Sequence, residues 1–179
     1  ITGFGLSELG ESVYLSSGSG TNLGGGFSIS EDFGAAAKEV TFGRHAKSAA
    51  SGYGIDFVPM ASATPGTPNT GPRIPPIVIQ EIMYNPSLHP DELAEYIELF
   101  NHSSTTVPLF DPAYPSNTWR FTGGIDYVFP PGISLPAGAH LLVVRTDPDL
   151  FRHVHGIPAS RPVYGPYSDA LANDGEKIT

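Results

Sequence analysis

The sequence predicts an all-β fold of the sandwich kind with one short helix, and three observations carry that prediction. Glycine (21) and proline (18) are abundant while charged residues make up only 15% of the 179, a mixture that suits short strands and tight turns better than helical bundles. Apolar runs of strand length recur at short intervals, broken by "GG", "PPG" and "PAG" turns. Only one stretch carries both the start and the stop signals of a helix.

The elements follow in order. "ESVYL" (Glu11–Leu15) reads as a short strand, and "SSGSGTNLGGG" (Ser16–Gly26) as a flexible loop of turn-prone residues. In "FSISEDF", Phe27, Ile29 and Glu31 alternate with Ser28, Ser30 and Asp32, the period of a half-buried strand. "KEVTFGRHA" and "GIDFVPMA" read as further strands, Val40 and Phe42 sharing one face of the former, Ile55 and Phe57 one face of the latter. Five prolines in the fourteen residues Ala63–Pro76 forbid both helix and central strand. That segment reads as a semi-rigid linker. It divides the chain into residues 1–62 and 77–179.

Beyond it, "IVIQEIMY" (Ile77–Tyr84) and "AEYIELFN" (Ala94–Asn101) read as strands, followed by "TWRF", "IDYVF" and "HLLVVR". The helix is "PDLFRHVH": Thr146 or Asp147 caps it, Pro148 suits its first turn and Gly156 ends it. Leu150 and Val154 share one side with Phe151 adjoining, a face suited to covering a sheet edge or end.

The end of the chain repeats its beginning. "LANDGEKIT" (Leu171–Thr179) matches the start of "LSELGESVYL" (Leu6–Leu15) at an offset of 165 residues, pairing Leu171 with Leu6, Gly175-Glu176 with Gly10-Glu11, and Ile178 with Val13. Such a period describes a repeat cut in a permuted frame.

Five co-linear motifs, "IVIQEIMYNP", "DELAEYIELFN", "YVFPPGISLPAGAHLLVV", "DPDLFRHVHG" and "ALANDGEKIT", resemble the opening two-thirds of a bacterial lamin-tail domain. "FGLSELGESVYLSSG", "DFGAAAKEVTFGRH", "IDFVPMAS" and "TPGTPN" resemble the closing part of the same family. The resemblance implies an immunoglobulin-like β-sandwich in a tandem array, with residues 77–179 lacking their last strands and residues 1–62 supplying strands of that type. Missing strands expose apolar faces and unpaired edges. The expectation is therefore completion in permuted fashion within the chain or strand-swapped fashion between chains. A tether from Met60 to Pro76 would span roughly 50 Å if extended. Glu11–Leu15 is expected to fill the place that the chain reaches at Thr179.

The formal net charge of −9 repels phosphate backbones and makes nucleic acid an unlikely partner. The absence of cysteine excludes disulfides and thiolate metal sites. No run is apolar and long enough to span a membrane. Ile1 in place of a start methionine suits a segment of something longer, so a missing signal peptide carries no weight.

The chemistry-bearing candidates are few. Asp91, Glu92, Glu95 and Glu98 could converge on calcium, with Asp91, Glu92 and Glu95 the ligand candidates. The plainer reading, preferred here, is a solvated loop running into a strand whose acids face outward. No pair of acids is signalled as flanking a glycosidase cleft. His153 and His155 stand two apart on the helix, on different faces. "SGSG" lacks the strand–turn–helix setting of a nucleophile elbow, and "LGGGF" lacks the Lys-Ser/Thr of a phosphate loop. Trp119, with Tyr114, Tyr127 and Phe129, is read as core before it is read as a stacking face. The "DPAYPSN" loop, with Asp111, Tyr114 and Asn117, and the Pro86–Ala94 loop, with His89, are the first binding candidates.

These readings point to a non-catalytic scaffold or adhesion module without a cofactor, calcium excepted. It would belong to a secreted or cell-surface bacterial protein, with a protein partner or self-association through strand complementation. The alternative is an accessory domain of a secreted enzyme that holds polysaccharide or nucleic acid.

Overall fold

A computed structural model describes residues 5–19, 22–48 and 52–178. The protein is all-β, with fourteen strands and two short helices among the described residues. Its contacts divide it into two units, Ile1–Ile74 and Pro75–Thr179.

The first unit is two antiparallel hairpins. β1 (Gly10–Ser19) pairs with β2 (Asn22–Gly34) in a register that sets Val13 opposite Glu31 and Leu15 opposite Ile29. Opposed residues share a face, so Val13, Leu15, Phe27, Ile29 and Phe33 line one side together with Glu11 and Glu31, and Ser12, Tyr14, Ser16, Ser28, Ser30 and Asp32 the other. The Gly/Ser stretch read as a loop is largely strand. Main-chain pairing needs no large side chain, and hydroxyls bridge the two strands, Ser16 Oγ to Ser28 Oγ at 2.9 Å. β3 (Phe42–Ala46) pairs with β4 (Ile55–Pro59). The Phe42 ring meets Phe33 at 5.7 Å and Phe57 at 6.2 Å between centroids.

The proline-rich segment is not an extended tether. It folds back on β4: Pro72 bridges Met60, the Ala61 N–H donates to the Gly71 carbonyl at 3.0 Å, and the Arg73 N–H donates to the Pro59 carbonyl at 2.8 Å. Asn69 Nδ2 donates to the Arg44 carbonyl at 3.2 Å. Proline removes donors but leaves carbonyls free to accept, and alternate residues of the segment still supply N–H groups. The unit boundary accordingly falls after Ile74.

The second unit is built on a four-stranded sheet in the order β14-β13-β6-β5, from β5 (Ile77–Met83), β6 (Tyr96–Asn101), β13 (His140–Val144) and β14 (Val163–Tyr164). β5, β6 and β13 are antiparallel, while β14 runs parallel to β13 after a helical crossover. On one face, Ile97, Leu99, Leu141 and Val143 pack against Leu109, Phe121, Phe129 and Leu135. Those four residues come from three short ladders and their joins. The ladders are β7 (Val107–Pro108) with β12 (Ser134–Leu135), β8 (Phe110–Asp111) with β9 (Tyr114–Thr118), and β10 (Arg120–Phe121) with β11 (Tyr127–Val128). On the other face, Leu142, Val144 and Val163 pack with Phe151 of α2 (Pro148–His155). Cover on both sides is why β13 reads as continuous Leu-Leu-Val-Val.

The helix has the predicted caps. The Asp147 carboxylate accepts from the Asp149 and Leu150 N–H groups, both at 3.0 Å, and Gly156 takes the left-handed conformation. Its buried residue is Phe151, with Leu150 exposed, a rotation from the expected face. A second helical turn, α1 (Asp91–Ala94), delays the start of β6 to Tyr96.

Candidate functional site

β6 explains the acidic cluster. Strand parity puts Glu95, Ile97, Leu99 and Asn101 on one side, and all four are buried. Glu95 is 1% exposed. Its Oε1 accepts from Arg145 Nη1 at 3.1 Å; its Oε2 accepts from the Tyr167 hydroxyl and from the Leu171 N–H, both at 3.2 Å. This corrects the outward-facing reading: Glu95 is an inward, fully engaged carboxylate. Burial, with the Glu95 charge next in importance, pushes the Tyr167 phenol well up. The other calcium candidates sit in α1, Asp91 half-buried and Glu92 exposed. Among the described residues no three acids or histidines gather as a metal-binding group. Glu98 is half-buried and meets His140 Nδ1 at 2.9 Å.

The loop candidates separate into two neighbourhoods. Asp111 and Tyr114 are cross-strand partners in the β8–β9 hairpin, and Asp111 Oδ1 accepts from the Ala113 N–H at 2.9 Å, bracing the turn. Tyr114 and Asn117 are exposed along β9. Trp119 follows and is 41% exposed, so it is not core, whereas Phe129 is. His89 lies on the loop before α1, its ring edge-on to His155 at 5.2 Å. His155 Nε2 reaches the Leu93 carbonyl at 2.9 Å and its ring packs on Phe151 at 4.3 Å. That histidine ties α2 to α1.

Asn101 was not singled out from the sequence. It is fully buried: Nδ2 donates to the Thr105 and Leu135 carbonyls, both at 2.8 Å, and Oδ1 accepts from Ser103. The alternation Glu-Tyr-Ile-Glu-Leu-Phe-Asn carries the signal for both inward polar residues, because Glu95 and Asn101 keep step with Ile97 and Leu99.

In the first unit, Met60 is the single buried apolar side chain among the described residues. A trough of about 950 Å³ lies between the hairpins, lined by Leu6, Val13, Leu15, Ile29, Phe42 and Phe57 among others. Glu31 and Arg44 pair beside it at 2.7 Å.

The repeated motif is also a repeated turn. The Gly10 N–H donates to the Ser7 carbonyl at 3.2 Å, and the Gly175 N–H to the Ala172 carbonyl at 3.2 Å. Glu11 Oε1 accepts from the Ser7 N–H and Glu176 Oε1 from the Ala172 N–H, each at 2.8 Å. The two glycines have φ of 94° and 97°, a region that favours glycine. Leu6 and Leu171 occupy the same place in this turn but not the same environment: Leu6 is 64% exposed and Leu171 4%. Thr179 and residues 1–4 lie outside the described residues, and Glu11–Leu15 pairs with Ile29–Phe33.

The chain matches no protein-family model, and comparison with curated proteins and with solved structures finds no significant match.

Proposed function

We propose that this chain is a non-catalytic scaffold or adhesion module of a larger secreted or cell-surface bacterial protein, similar to tandem lamin-tail domains and working through β-sheet complementation. The observation that carries the reading is how little core the first unit has among its described residues: its strands are paired, Phe33, Phe42 and Phe57 are only half-buried, and Met60 is the one fully buried apolar side chain. Such a segment gains stability from a partner surface. The repeated turn, seated at Leu171 and exposed at Leu6, supports the same reading. The buried polar side chains support it too, since Glu95 and Asn101 are engaged in holding segments together.

The expected result is no turnover with a panel of glycosidase, esterase and nuclease substrates, and no shift of DNA. Turnover that disappears in Asp91→Asn would overturn the reading.

An accessory polysaccharide-binding domain is the second reading. It is favoured by one observation, the exposed Tyr114 on a braced hairpin whose second strand runs on into the exposed Trp119. A glycan array separates the two: binding lost in Tyr114→Ala selects the accessory role, and a blank array leaves the scaffold.

A further inference from the structure

We infer that the apolar face of the β1–β2 hairpin is a docking surface for a second copy of this chain, and that it seats on the core side of that copy's four-stranded sheet at the β5 edge. The inference rests on the complementation reading above and names its partner and its surface.

The donor face is defined by register. Val13 and Leu15 of β1 and Phe27 and Ile29 of β2 share one side and are all exposed, with Glu11 and the Arg44-paired Glu31 toward its Gly10–Gly34 end, while Ser12, Ser16, Ser28 and Ser30 lie on the opposite side. A hairpin that gathers its exposed apolar side chains on one face gains by having that face covered.

The acceptor is equally specific. β5 is the edge of its sheet. Ile79 stands opposite Leu99 and Ile82 opposite Ile97, so both isoleucines point to the side where the main core lies. Yet Ile79 is 44% exposed and Ile82 40%. The short ladders that cover Leu99 and Ile97 leave this end of the face open.

The repeated turn identifies the partner. In the second unit the turn seats Leu171 in the core and leads to Ile178, which packs against that core. In the first unit the same turn leads into β1, where Val13 is the counterpart of Ile178. The apolar positions of β1 thus continue a row that already packs on a core of this type.

The hinge selects a second copy. Arg73 is hydrogen-bonded within the first unit, and the Pro75 carbonyl accepts from His102 Nε2 at 2.6 Å within the second. Ile74 alone stands between them, followed by two prolines. Short, stiff hinges favour exchange between chains over folding back on the same chain.

Light scattering and sedimentation of the full chain over a wide range of concentration test this. The expected mass is twice 18.9 kDa or a higher multiple, falling toward 18.9 kDa on dilution. Leu15→Asp removes the donor and Ile79→Asp the acceptor; both positions are exposed, so each variant is expected to fold, and each weakens association by about tenfold or more. Mixing the two variants restores a pair, because each retains the half that the other lacks. Loss of fold alone cannot produce that recovery. A chain of 18.9 kDa at every concentration, with no pairing on mixing, overturns the inference. Amide exchange then separates it from the reading beneath it. Faster exchange at Ile97–Leu99 in monomeric Leu15→Asp means that the hairpin is seated within its own chain, so the second copy falls and complementation stands. Unchanged exchange there removes both.

Discussion

The Glu95 carboxylate ties together segments that are distant in sequence: Arg145 after β13, Tyr167 beyond β14, and the Leu171 N–H of the repeated turn. Taking a charge out of water costs several kcal/mol, which a guanidinium and two further donors offset. Removing it leaves Arg145, 23% exposed, without its partner and two donors unsatisfied. Glu95→Ala is therefore expected to cost about 3 kcal/mol in urea unfolding, against less than about 0.5 kcal/mol for exposed Glu92→Ala. The phenols give a pH dependence. Burial pushes Tyr96 and Tyr127 up to about 12 from an ordinary 10.0, with Tyr167 also raised. A raised phenol is held protonated by the fold, so its contribution is fully present below pH 10.0 and is lost as pH rises toward about 12. Unfolding free energy should fall across that interval, with a phenolate absorbance step near its upper end. A constant free energy there would refute the assignment. The inward glutamate was legible in the strand's parity. It was obscured because a carboxylate's charge argues for the surface until the matching arginine, fifty residues away, is known.

At the scale of elements, legibility followed how local the determinants are. The α2 helix was readable because its cap, first-turn proline and terminal glycine lie within ten residues. Asp147→Ala is expected to cost about 1 kcal/mol, read as a lower thermal midpoint, with no change in the β6–β13 amides. A Gly156 replacement would meet backbone strain at φ 62°. The strands Ile77–Met83 and His140–Val144 were readable from their β-branched and leucine-rich apolar residues, interrupted in the first by Gln80 and Glu81. Of the β1–β2 hairpin, Glu11–Leu15 and Phe27–Phe33 were readable as strands, but their extension through Ser16–Ser19 and Asn22–Gly26 was not, because serine and glycine predict turns while the ladder that forms there depends on a partner strand. The fold-back of the proline-rich segment was hidden for a related reason: composition excludes a central strand but does not exclude a return held by Gly71, Arg73 and Asn69. The two copies of the turn form a matched experiment at this scale. A Cβ at Gly10 would collide with the Phe33 carbonyl, whereas one at Gly175 meets nothing within 4 Å. Both have positive φ, so each alanine variant carries conformational strain, but Gly10→Ala should also disrupt the β1–β2 ladder. Amide exchange in β1 reads the difference.

At the scale of the molecule, the division of apolar burial decides what each unit can do alone. Among the described residues both hydrophobic clusters lie in Pro75–Thr179, and every fully buried apolar side chain except Met60 belongs to that unit. Burial of a Leu, Ile or Phe side chain contributes roughly 1.5–3 kcal/mol, so that unit has the means to offset its chain entropy. Ile1–Ile74 has paired backbone but, among its described residues, Met60 alone as a fully buried apolar side chain, and two-stranded hairpins without a well-covered face are marginal in water. A fragment of residues 75–179 should therefore unfold in urea in one cooperative transition. A fragment of residues 1–74 should show none, and should bind an apolar dye in buffer. If residues 75–179 are then added, the dye should be displaced, since the added sheet offers the uncovered Ile79–Ile82 end to the uncovered β1–β2 face. Cooperative unfolding of residues 1–74 alone would mean that the segment completes its own core. The exposed Val13 and Leu15 of β1 would then be an ordinary surface, and the case for complementation would lose its foundation.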